Sequence, residues 1–113
     1  MKRYYLFAII LFFTSQTEAQ EKIRHSSDLL SEWTFTRGIE GPAVDATGNL
    51  YAVNFAEQGT IGVVTPDGAA SIFVNLPSGS VGNGIRFDKS GIMYIADYPR
   101  HNILKVDPST KEI

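Results

Sequence analysis

The chain repeats itself once at a spacing of 43 residues, and that internal similarity limits its fold more than any other feature. Residues 40–55 (EGPAVDATGNLYAVNF) align with residues 83–98 (NGIRFDKSGIMYIADY). Gly41 coincides with Gly84, Asp45 with Asp88, Gly48 with Gly91 and Tyr51 with Tyr94. Val44/Phe87, Thr47/Ser90, Leu50/Met93 and Phe55/Tyr98 are chemically similar pairs. After a one-residue deletion the match resumes at Ile61/Ile103, Val64/Val106 and Pro66/Pro108.

Within each unit, short runs rich in β-branched and aromatic residues are separated by Gly, Pro, Asn and Asp, with no sustained helical period. The first unit reads as strands near 42–46, 49–54, 60–65 and 69–74. Its turns are Asp45-Ala-Thr-Gly48 and Thr65-Pro-Asp-Gly68, where Asp bonds its own backbone and Gly accepts a positive φ. The second unit reads as strands near 84–88, 92–97 and 102–107, with turns at Asp88-Lys-Ser-Gly91 and Asp107-Pro-Ser-Thr110 and a fourth strand beginning near Lys111. A period near 43 with four strands per unit is that of a β-propeller blade. The expectation is an all-β protein: one blade of four antiparallel strands over about 40–76 and a partial second blade over about 83–113. Ser31–Arg37 (SEWTFTR) alternates Trp33 and Phe35 with polar neighbours and reads as one more strand, packed locally or closing a ring.

The N-terminus has a different pattern. Lys2 and Arg3 precede ten apolar residues, Tyr4–Phe13, and a polar stretch ending Thr17-Glu18-Ala19. This is the layout of a secretory signal peptide over 1–19, with cleavage before Gln20. Ten apolar residues are half the roughly 20 that a spanning helix needs, so no stable membrane anchor is expected. The expected product is exported, periplasmic or secreted, with 94 residues and a net charge of −3. Residues 20–30 are polar, lack alternation and read as a flexible lead-in.

Composition removes several classes of chemistry. There is no cysteine, which excludes disulfides, thiolate metal sites and a thiol nucleophile. Twelve acidic against ten basic residues leave no basic footprint for nucleic acid. No Gly-x-Ser-x-Gly elbow is present. The glycine-rich run Ser78–Gly84 lacks the following Lys-Ser/Thr of a phosphate loop and reads as a link between units.

Candidate functional residues cluster at the starts of the innermost strands. Glu40 opens the first, in Glu40-Gly41-Pro42, and Asn83 holds the matching position in the second. A hard cation such as calcium takes about six to eight oxygens, and a carboxylate and an amide projecting toward one axis could supply two. Read from the pattern alone, Glu40 is equally a solvated loop charge and Asn83 a turn residue. His101, in Asp97-Tyr98-Pro-Arg100-His101-Asn102, is a loop histidine able to bind metal or act as a base, or else an exposed loop residue or part of a structural hydrogen-bond network. His25 lies in the lead-in with no partner pattern.

Glu40-Gly-Pro-Ala-Val-Asp45 with Gly48-Asn-Leu-Tyr51 resembles the opening of the gluconolactonase / regucalcin (senescence marker protein) / luciferin-regenerating enzyme family. Asn83-Gly-Ile-Arg-Phe-Asp88 with Gly91-Ile-Met-Tyr-Ile-Ala-Asp97 is similar to that family's repeated blade motif. The resemblance runs from about Ser31 to the end. It implies a six-bladed propeller holding a divalent cation, usually calcium, on its axis. It further implies metal-dependent hydrolysis of a sugar lactone or related ester, with the small-molecule substrate as partner. The family's Glu-Gly-Pro glutamate is a metal ligand, which maps to Glu40. Asn83 and His101 are then candidates for the substrate pocket. The other ligands, two Asn and one Asp, and the carboxylate base come from later blades in that family. The protein is therefore expected to be an N-terminal fragment, inactive by itself.

The same blade also resembles strictosidine synthase-like and NHL-repeat propellers. These imply a non-catalytic module that binds a protein or glycan through its loops. A third possibility is a ring assembled from several two-unit chains. Two units alone leave sheet faces and edges uncovered, so the protein in isolation is expected to be marginally stable.

The signal-peptide assignment has a direct check. Expressed in a secreting host, the exported protein is expected to begin at Gln20 by N-terminal sequencing, and a start at Met1 would remove the assignment.

Overall fold

A computed structural model of the protein describes residues 26–113, so the segment read as a signal peptide, most of the one read as a lead-in, and His25 lie outside the described residues. Among the described residues the fold is all-β. Seven strands run in order: β1 (Ala43–Val44), β2 (Leu50–Val53), β3 (Thr60–Val64), β4 (Ala70–Asn75), β5 (Gly82–Phe87), β6 (Met93–Asp97) and β7 (Asn102–Val106). They form two antiparallel meanders, a four-stranded sheet β1-β2-β3-β4 and a three-stranded sheet β5-β6-β7. Strand positions follow the sequence reading to within a few residues. The expected fourth strand of the second unit is represented by one rung, in which Asp107 N–H donates to the Glu112 carbonyl at 3.0 Å.

The repeat is reproduced atom by atom at the first turn of each sheet. The Asp45 Oδ1 accepts from the N–H of Thr47 (2.8 Å) and of Asn49 (3.0 Å). Asp88 Oδ1 accepts from Ser90 N–H (2.8 Å) and Ile92 N–H (3.1 Å). Gly48 and Gly91 take φ of 91° and 85°, the left-handed conformation that closes each turn without a Cβ clash. Further along, in the second strand of each sheet, the hydroxyls of Tyr51 and Tyr94 donate back to Asp45 Oδ2 (3.1 Å) and Asp88 Oδ2 (3.3 Å). Each aspartate thus ties its turn to the second strand of its sheet.

Period-two alternation then sets the packing. Tyr51, Val53, Ile61 and Phe73 of the first sheet form one core with Ile85, Met93, Ile95 and Val106 of the second. The Tyr51 ring meets Phe73 (5.0 Å) and Phe87 (5.2 Å) edge to face. Two glycines permit the close approach of the sheets. A Cβ on Gly82 would lie 2.8 Å from Val53 Cγ1, and one on Gly41 would lie 2.2 Å from the Asn83 carbonyl oxygen. The outward face of the second sheet repeats this pattern but stands open. Ile103 is 64% exposed where its counterpart Ile61 is fully buried, and Tyr94 and Ala96 are half-buried beside it.

Ser31–Arg37 departs from the expected strand. Trp33 is left-handed (φ 68°) and 69% exposed, and the Thr34 hydroxyl donates back to the Ser31 carbonyl (2.8 Å), which turns the backbone. Only a single bridge, Phe35 to Phe55, remains. The two rings pack edge to face (5.1 Å) over Gly62 on the back of the first sheet, where a Cβ would meet Phe55 Cβ at 2.6 Å.

The aspartate turns make folding acid-sensitive. Burial pushes the Asp45 carboxyl up, but the donors of Asn49 and Thr47 together outweigh it and bring it from 3.8 down to about 2. Its stabilisation is therefore present above the ordinary carboxyl value and is lost as pH falls toward 2. Urea midpoints at about pH 6 and about pH 2.5 are expected to differ, with Asp45 contributing about 1 kcal/mol after allowance for solvent screening. Asp45→Asn should lessen the difference, and an unchanged pH dependence would count against this assignment.

Candidate functional site

The starts of the first strands of the two sheets converge, because the sheets stack through the Gly41 contact. Gly41 is left-handed (φ 58°) and lies against the Asn83 backbone, while the Glu40 carbonyl accepts from Val53 N–H (3.3 Å). The backbone of Glu40 is thereby anchored and its side chain stays exposed. Glu40, Asn54, Gln58, Asn83 and Tyr98 line one open cleft of about 310 Å³. A second cleft, of about 400 Å³, is lined by Asn83, Asp97, Tyr98, His101 and Asn102. Asn83 and Tyr98 border both. The structure thus brings Glu40 and Asn83 to one cleft and Asn83 and His101 to the adjoining one, but Glu40 and His101 line no common cleft.

Two buried polar residues support this region, Asn54 and Asp97, which occupy matching positions in the repeat. Each reaches back sixteen residues to the segment before the first strand of its own sheet. Asn54 Nδ2 donates to the Gly38 carbonyl (2.7 Å), and Asp97 Oδ1 accepts from Val81 N–H (3.2 Å). Asn54 is fully engaged, since its Oδ1 also accepts from Gly59 N–H (3.3 Å). Asp97 is 1% exposed, and its Oδ2 has no partner among the described residues. Asp97 is the last residue of β6, where the sequence reading also ends that strand, but its burial and its back-bond to Val81 were not read from the pattern. The available signal was a polar residue closing an apolar strand in both units, each followed by an aromatic, Phe55 or Tyr98.

His101 matches Gly59 once the one-residue deletion is counted. Gly59 has φ 81° and His101 has φ 52°, so the histidine adopts a backbone conformation that its counterpart reaches without a side chain. Its ring borders the second cleft and is exposed. Arg100 anchors the same loop by donating to the Ser78 carbonyl (2.9 Å).

For a hard cation, the donor types at the first cleft are suitable but few. Glu40 offers a carboxylate and Asn83 an amide oxygen, against the roughly six to eight oxygens calcium takes. Among the described residues no three His, Asp or Glu side chains gather closely enough to hold a metal ion. Comparison with protein-family models and with curated proteins finds no match.

The back-bond of Asp97 has a measurable weight. Asp97→Ala strands the Val81 N–H and is expected to lower stability by about 1–3 kcal/mol. Asp97→Asn keeps an acceptor and removes a buried charge, so its urea midpoint is expected at or above that of the parent. A loss equal to that of the alanine variant would show that the charge itself is needed.

Proposed function

We propose that the two sheets are successive blades of a β-propeller of the gluconolactonase / regucalcin-like type, in an exported protein. The observation that carries this reading is the convergence of Glu40 and Asn83 on one cleft, at matching positions of the repeat. The open face of the second sheet, with Tyr94, Ala96 and Ile103 where the first sheet has Tyr51, Val53 and Ile61, supports it, because a further blade would cover that face.

In this reading the function of the complete ring is metal-dependent hydrolysis of a sugar lactone or related ester. A divalent cation, calcium by preference, would supply polarisation of the substrate carbonyl and of a water. Glu40 holds a carboxylate at the axis on a backbone fixed by Gly41 and the Val53 bond. Asn83 orients substrate hydroxyls at the junction of the two clefts, and His101 borders the outer cleft. The carboxylate base and the remaining ligands would come from other blades of the ring.

The alternative is a non-catalytic propeller of NHL-repeat or strictosidine synthase-like type. It draws on the exposed β6–β7 loop, where Tyr98 is 72% exposed beside Arg100 and His101. Such a loop suits recognition of a protein or glycan.

Calcium titration by calorimetry separates the two. The enzyme reading expects binding by the complete ring and at least about tenfold weaker binding by the same ring carrying Glu40→Gln. Equal affinity in both, or no binding by either, favours the loop-binding module.

A further inference from the structure

We propose that Asn83 is a site of spontaneous deamidation, and that the modification adds a second carboxylate to the cleft lined by Glu40. Of the five asparagines, Asn83 alone precedes a glycine; Asn49, Asn54, Asn75 and Asn102 precede Leu, Phe, Leu and Ile. The reaction needs the backbone nitrogen of the following residue to reach Cγ of the asparagine, and a branched or aromatic neighbour obstructs that approach. At Gly84 the position of a Cβ is open, with no atom within 4 Å.

The local backbone favours the same site. In β5 the register with β6 shifts between Gly82, paired with Asp97, and Ile85, paired with Ile95. Asn83 and Gly84 together stand opposite Ala96, a bulge with one extra residue. Gly82 and Ile85 are both buried in the core, so the two residues between them are displaced from it, and the Asn83 side chain is exposed. Asn54, by contrast, is buried with both side-chain polar atoms hydrogen-bonded.

The chemistry is self-contained. The Gly84 backbone nitrogen, on losing its proton, forms a bond to Asn83 Cγ, and the Cγ–Nδ2 bond of the amide breaks with release of ammonia. Water then opens the resulting cyclic imide at either carbonyl, leaving aspartate or isoaspartate at position 83. Each product carries one more negative charge than the parent, on a residue that borders both clefts. This inference does not depend on the hydrolase reading.

Peptide mass spectrometry after incubation of the protein in mildly alkaline buffer tests it. The peptide carrying Asn83-Gly84 is expected to gain the mass of an amide-to-acid conversion and to contain isoaspartate. The other four asparagines should remain intact. Gly84→Ala, which the open space tolerates, should slow conversion several-fold, and Asn83→Gln should abolish it in that peptide. A parallel incubation in urea gives the rate of the unfolded protein. Rates of the same order in folded and unfolded protein support the proposal. An intact Asn83 in the folded protein, or conversion spread evenly over all five asparagines, overturns it.

Discussion

Tyr51 is the residue through which the turn, the sheet and the inter-sheet core are coupled. Its hydroxyl donates to Asp45, which organises the first turn, and its ring lies between Phe73 of its own sheet and Phe87 of the other. Burial and the bond to the Asp45 carboxylate raise the phenol to about 12, so it stays protonated and donating across the physiological range. Edge-to-face pairs are worth about 0.5–1.5 kcal/mol each beyond area burial. More important is that one residue makes the turn and the core mutually dependent. An isolated meander of short strands is barely stable, and here the second sheet completes the burial of the first.

The glycines set how closely the sheets approach, and that approach builds the candidate site. Gly41 and Gly82 lie where a side chain would strike the neighbouring sheet. Their contact places the segment before β1 against the start of β5, and so places Glu40 beside Asn83. Asn54 and Asp97 stabilise the same region from below by tying each second strand to the segment leading into its first. A buried carboxyl group with one oxygen unpartnered among the described residues is a costly feature.

The repeat made most of the strand plan legible. Aspartate and glycine at fixed offsets mark the turns, and alternating apolar residues mark the strands, because both depend on local backbone chemistry. SEWTFTR shows where such reading fails. Its alternation is that of a strand, but the Thr34 back-bond and a left-handed Trp33 turn the backbone, and only Phe35 pairs. Asp97 is a different case, read as the end of its strand but not as a buried residue. The residues after it look like a loop, and its back-bond reaches Val81, sixteen residues earlier, which no local pattern reports.

The sequence by itself determined the all-β character, the two units and their turns, since short-range hydrogen bonding and period-two alternation are written in neighbouring residues. It also identified Glu40 and Asn83 as matching positions. Only the tertiary structure decided that these two residues share a cleft, that His101 lies on the adjoining one, and that Asn83 stands in an exposed bulge. Those facts depend on how two sheets stack across glycines 41 and 82, through contacts between residues about thirty to forty positions apart in sequence.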